Sequence, residues 1–199
     1  TNTSETISMT TPTSTPDSSK QWIVMRSTFN RSQKAYDFVV SQGIDAYLTM
    51  KLVERVKHNR LSRHTEPLIP NMFFVYSTEK EMKDLLRESS DSSYISFYYN
   101  HFDHRPGVKD KPLVVPDHQM ENFKLVTSVE NIHTMLVDPE NVHFKSGDIV
   151  RVVEGDFIGV VGRIARISGQ SRVVVTLDGV CSIATAYIPK AFLEPFESR

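Results

Sequence analysis

Between Lys51 and His64 the chain sets five cations, Lys51, Arg55, Lys57, Arg60 and Arg63, against a single acid, Glu54, with His58 and His64 beside them. Such a density of ammonium and guanidinium groups can contact phosphate, and it is also what a solvated hairpin tip carries. Three other stretches hold residue types that do chemistry. "GDFIGVVG" contains Gly155, Gly159 and Gly162, and glycines let backbone N–H groups close around an anion. A phosphate loop opens a helix, however, and "GRIARI" continues here as a strand, so the glycines are assigned to turns and close strand packing. His101 and His104 in "HFDH" have a spacing that metal sites use, but no cysteine or carboxylate–histidine pair completes a ligand set. Cys181 is the only cysteine, and in "GVCSIATAYIP" it reads as a small buried hydrophobe rather than a nucleophile. With no Ser-His-Asp signature, Walker loop or H-E-x-x-H stretch, neither an enzyme nor a cofactor is expected.

The 199 residues suit one medium and one small domain. Their net charge of -1 leaves no basic surplus for binding held mainly by phosphate neutralisation, so any nucleic-acid contact must be local. No window approaches the roughly 18 apolar residues of a membrane span. The first residues lack the apolar core of a secretory signal, and one cysteine forms no intrachain disulfide; a cytoplasmic protein is expected.

The elements that must position these residues follow from the hydrophobic pattern. Residues 1–19 are almost all Ser, Thr, Pro and acids and predict a disordered tail. "QWIVMRST" reads as a strand, and Asn30 with Gln33 resembles a capping box opening a helix with Ala35, Phe38 and Val39 on one face and Gly43 as its stop. "AYLTMKLVERV" alternates as a half-buried strand and pairs through the basic tip with "PLIPNMFFVYS" in a long hairpin, whose second arm Pro67 and Pro70 keep from full pairing at its start. Thr78 with Glu81 predicts a second capping box, and Met82, Leu85 and Leu86 that helix's apolar stripe. "SYISFYYNH" is a further strand, 103–112 a loop, and Pro116 starts a helix with Met120, Phe123 and Val126 inward. The order predicts an α+β, ferredoxin-like domain over 20–127, an antiparallel sheet with helices on one face. A linker over 128–144 and a small β-barrel domain over 145–199 complete the chain, with Val173, Val175 and Leu177 inward and Arg172, Val174 and Thr176 outward on one of its strands.

The strand after the proline corner poses a packing question. Period two sends Met72, Phe74 and Tyr76 to one face and Phe73 and Val75 to the other, so two different covering layers are needed. Either a helix of the same domain or a partner could supply the second.

"QWIVMRS", "EPLIPNMFFV" and "FKSGDIVRVVEGDFIGVVGRI", in this order, resemble the NusG family of transcription elongation factors over about residues 20 to 197. The resemblance implies an NGN domain followed by an SH3-like KOW barrel. It implies docking of Trp22, Ile69, Met72 and Phe73 on the clamp helices of the largest RNA polymerase subunit, which holds the clamp closed and reduces pausing. It places the basic tip, with Lys57, Arg60 and Arg63, near upstream or non-template DNA, and through Phe157 and Ile158 gives the KOW domain a ribosomal protein or Rho as partner. "PNM" in place of "PGY", and "GDF" in place of "GPF", make the chain similar to the specialised RfaH or UpxY type. That type promotes antitermination of long polysaccharide-type operons and would read DNA with Arg26, Arg31 or Lys34; Asp156 disfavours Rho. The alternatives are a housekeeping NusG coupling to Rho and the ribosome, or a ribosome- or RNA-binding KOW module. A monomer is expected.

Overall fold

The computed structural model describes residues 19–99, 106, 111–138 and 142–197. Residues 1–18 of the expected tail, His101, His104 and most of the 103–112 loop lie outside the described residues.

The first apolar run forms β1 (Gln21–Ser27), followed by α1 (Ser32–Ser41), β2 (Asp45–Tyr47), and the hairpin strands β3 (Met50–Lys57) and β4 (Arg60–Pro67). After the proline corner come β5 (Met72–Ser77), α2 (Glu79–Glu88), β6 (Ile95–Phe97), β7 (Val114–Val115) and α3 (Asp117–Thr127). Strands β2, β5, β1 and β6 are neighbours in that order in an antiparallel sheet, and β7 also pairs with β1. Gln21 stands opposite Ser77 and Arg26 opposite Met72, so the proline corner lies at the same end of the sheet as the β1–α1 loop.

Two helix starts behave differently from one another. Thr78 caps α2 as its sequence predicts, accepting a hydrogen bond from the Glu81 N–H at 3.1 Å. At α1 the predicted box does not form: Arg31 occupies the cap position without a side-chain bond, and Gln33 donates to Asp37. Asn30 instead takes a left-handed backbone (φ 55) and gives its N–H to Asn71 Oδ1. Gly43, with φ 80, ends α1 as expected.

Helices cover both faces of this sheet, which corrects the expectation of one covered face. Ile23, Met25, Phe73 and Val75 bury against Ala35, Val39 and Met82 of α1 and α2. The alternate residues Val24, Met72 and Phe74 bury against Met120, Phe123 and Val126 of α3. Period two demanded two layers, and the chain supplies both.

A second difference concerns the basic stretch. The predicted long strand divides after Tyr47: β2 stays in the main sheet, whereas β3 leaves it and pairs only with β4. His58 and Asn59 at the tip both have positive φ, 51 and 56, which suits a two-residue hairpin turn following the twist of the strands. The half of the hairpin nearest its turn is exposed, and "RLSRHTEP" carries no apolar alternation that marks a strand.

The second sheet contains β8 (Met135–Val137), β9 (His143–Val152), β10 (Val161–Ile167), β11 (Gln170–Leu177), β12 (Cys181–Ala184) and β13 (Leu193–Pro195), in the order β13-β9-β10-β11-β12-β8. Strand β8 falls in the stretch 128–144 assigned to a linker; it pairs with β12, Ile183 opposite Leu136. Val173, Val175 and Leu177 point into the cluster shared with α3 as expected, but Val174 is also buried, with Val142, Ala165 and Ala184 on the other side. Gly162 has no room for a side chain: a Cβ would run into the Val174 carbonyl and lie 2.9 Å from Val173 Cγ1. Close strand packing explains that glycine, and positive φ at Gly155 and Gly159 serves the turns between β9 and β10.

Candidate functional site

The corner before β5 is fixed from several directions. Pro67 and Pro70 set two φ angles, Leu68 donates to the Thr49 carbonyl at 3.0 Å, and Asn71, at φ 57, accepts from the Ser27 N–H at 3.0 Å. Ile69 and Met72 are thereby held with little freedom left to lose on binding. Trp22 of β1 stands opposite Tyr76 of β5, its ring tilted on the Tyr76 ring with centroids 5.2 Å apart, and the Lys124 ammonium of α3 sits 3.9 Å from the Trp22 ring centre. Burial lowers the Lys124 pKa, opposed in part by Asp45 and Glu121. Burial likewise raises the Tyr47 phenol pKa, against its 2.6 Å bond to Thr127.

Of the four residues expected on one apolar surface, Trp22, Ile69 and Met72 belong to the cluster on the α3 side. Phe73 does not; it is fully buried on the opposite face against α1 and α2, where a partner meeting the other three would not reach it. Ile69 and Met72 are themselves only 8% and 9% exposed.

What covers Met72 on this side is α3, and the second unit, from β8 to β13, packs on α3 in turn. Its residues Phe157, Val160, Val173 and Val175 belong to the same continuous buried cluster as Ile69, Met72 and Phe123, and α3 packs on β11. Polar bonds register the contact: Gln119 donates to Asp178 Oδ2 at 2.8 Å and accepts from the Asp178 N–H at 3.0 Å, while Asn122 accepts from the Val161 N–H at 2.9 Å. Helix α3 therefore has an apolar stripe for the first sheet and an amide stripe for the second. The pair expected to bind a partner splits, with Phe157 buried in this contact and Ile158, 59% exposed, facing outward.

The cations form two separate groups. On the hairpin, Lys57 and Arg60 stand opposite each other beside the turn and make no ion pair among the described residues, whereas Arg63 is paired with Glu54 at 2.7 Å. At the β1–α1 loop, Arg26, Arg31 and Lys34 are exposed; the Arg31 guanidinium lies 5.5 Å from both the Phe29 and the Tyr94 ring centres, and Lys34 5.1 Å from Tyr94. Phe29, in "STFNRSQK", is exposed beside them. Its signal was an aromatic interleaved with Arg26, Arg31 and Lys34.

Among the described residues no three His, Cys, Asp or Glu side chains gather as a metal site, and no helix is long and apolar enough to cross a membrane. Cys181 is half-buried, and desolvation pushes its thiol up to about 12.

Residues 20–124 match the family described as transcription termination factor NusG. A solved structure described as "Domain interaction in Thermotoga maritima NusG" is similar over 89% of this chain and 98% of its own, with 21% identity and a TM-score of 0.42. No curated protein matches the chain.

Proposed function

The chain belongs to the NusG family, and on that premise we propose that it is a non-catalytic transcription factor that binds RNA polymerase, suppresses pausing and promotes read-through. The polymerase clamp helices meet Trp22, Ile69 and Met72; Phe73 supports that surface from the far side of the strand. The second sheet is the KOW module, and the exposed hairpin cations Lys57 and Arg60 lie toward non-template DNA. We assign the chain to the specialised antitermination type acting on long operons, with Ile158 left to contact a ribosomal protein.

One observation carries this reading. A proline-fixed apolar corner is buried in a cluster that continues into a second unit, a packing suited to a surface that is covered when idle and uncovered when a partner helix competes for it.

The test is transcription by the cognate polymerase on a template with pause sites and a terminator. Wild type increases read-through, Ile69→Asp abolishes the increase, and Gln119→Ala with Asn122→Ala, which loosens the cover, reaches the same effect at lower protein concentration. No change in read-through with wild type on templates carrying the cognate operon leader would overturn the reading.

A further inference from the structure

We propose that the cavity between the base of the β3–β4 hairpin and the segment following α3 is a binding site for a small apolar α-amino acid. Nothing in the transcriptional reading requires such a site, and its ligand is a free metabolite rather than a macromolecule.

The cavity has a volume of about 200 Å³. On the hairpin side it is lined by Met50, Leu52 and Leu68, and on the side of α3 by Val129 and Thr134. One atom marks it as a ligand site. Thr134 is only 6% exposed, and its hydroxyl is buried with no hydrogen-bond partner, although the large majority of buried polar side chains in native proteins find one. Neighbouring hydroxyls on the same wall are used by the fold: Thr127 bonds with the Tyr47 hydroxyl and the Phe123 carbonyl, and Ser128 donates to the Leu125 carbonyl. Asn131, also on this wall, accepts from the His133 N–H through Oδ1 at 2.8 Å, and its side-chain amide N–H groups have no partner among the described residues. A single water would answer Thr134. A cavity of this volume holds several, most of them against Met50, Leu52, Leu68 and Val129, from which an apolar body displaces them favourably.

The charges at the cavity select the ligand. Lys51 lines the hairpin side and Glu130 the side of α3, and neither makes an ion pair among the described residues. Glu66, which stands opposite Lys51 across the hairpin, lies 3.4 Å from Arg55 and 3.8 Å from His64 instead. A simple anion would satisfy Lys51 and face Glu130, and a simple cation would do the reverse. A zwitterion pairs with both. Its carboxylate meets Lys51 and the Thr134 hydroxyl, its ammonium meets Glu130, and its apolar side chain lies against Met50, Leu52, Leu68 and Val129. The volume is below the roughly 300 Å³ at which pockets for drug-sized ligands begin, which fits a molecule of amino-acid size. The residues after α3 lead to β8, so the bound amino acid ties the connection between the two sheets to the hairpin base.

The experiment is isothermal titration calorimetry on the purified full chain without polymerase, so its failure is separate from failure of the polymerase reading. L-valine, L-leucine and L-methionine are the probes, and wild type binds at least one of them. Two analogues of the tightest probe assign the charges: its amide, which lacks the carboxylate, and its des-amino acid, which lacks the ammonium, both bind more weakly. Lys51→Gln weakens the amino acid roughly 2- to 5-fold and leaves the amide unchanged, while Glu130→Gln weakens it by a similar factor and leaves the des-amino acid unchanged. Thr134→Val keeps the shape of the side chain and removes the hydroxyl; it weakens the amino acid about 10-fold or more without lowering the thermal midpoint, as a hydroxyl bonded within the fold would. Binding of none of the three probes at millimolar concentration, equal binding of the amino acid and its amide, or a Lys51→Gln effect of the same size on both overturns the proposal.

Discussion

The two faces of the first sheet are made by the same strands and serve different ends. Toward α1 and α2 the residues Ile23, Met25, Phe73 and Val75 close in a cluster that holds no residue of the second sheet among the described residues, a finished core. Toward α3 the alternate residues Val24, Met72 and Phe74 close on a helix that is itself a contact layer, with the second sheet on its far side. One face is therefore committed to the fold, and the other is shared. Residues separated by a single peptide bond, Met72 and Phe73, fall on opposite sides of that division.

Truncation separates the faces most sharply. Phe123→Ala removes the ring that meets Phe74 at 5.5 Å and Tyr47 at 6.3 Å, so it costs about 3–5 kcal/mol and lowers the unfolding midpoint of both units together in a denaturant titration. Met82→Ala, equally buried but on the finished face, costs about 2–5 kcal/mol and leaves the second unit's spectroscopic signal with its wild-type midpoint. If the two variants give the same pattern, the shared face is not a link between units.

Smaller changes sharpen the comparison. Replacing Gln119 and Asn122 by Ala removes three bonds between the units, each contributing about 0.5–1.5 kcal/mol, together with one exposed bond inside α3 from Asn122 to the His118 carbonyl, and is expected to loosen the contact while each core stays folded. Small-angle scattering is the check, with an increase in radius of gyration expected. A subtler probe is Cys181, which packs against the shared cluster. Its raised pKa leaves so little thiolate near neutral pH that alkylation runs about two to three orders of magnitude slower than for a free thiol. Iodoacetamide labelling followed by mass spectrometry measures this directly. Since the folded thiol is held above its ordinary value of 9.0, its contribution to stability is complete below that pH and declines as pH rises toward about 12.

Much of this division was legible in the sequence, and the remainder was hidden for an identifiable reason. The apolar stripe Met120, Phe123 and Val126, the capping Thr78 and the glycine stop at Gly43 express local rules, and each stands where those rules put it. Alternation in β5 established that two layers were required but not which helix made each, because periodicity records a face without its occupant. Strand β4 is hidden because the exposed half of a hairpin needs no apolar alternation. Strand β8, three residues of a sheet edge, is too short to have a period. For the candidate site, the family resemblance marked Trp22, Ile69, Met72 and Phe73, whereas the burial of Phe157 in the same cluster as the first three joins residues more than eighty positions apart in the chain. Such a junction belongs to tertiary packing alone.

The amide stripe of α3 has a kinetic consequence. The main-chain N–H groups of Val161 and Asp178 are protected by side chains of α3 rather than by a neighbouring strand, so their exchange with solvent deuterium is gated by separation of the units and not by unfolding of the second sheet. These two amides are native clocks for that motion: their exchange rates relative to the β10–β11 ladder amides give the fraction of time the helix stands uncovered.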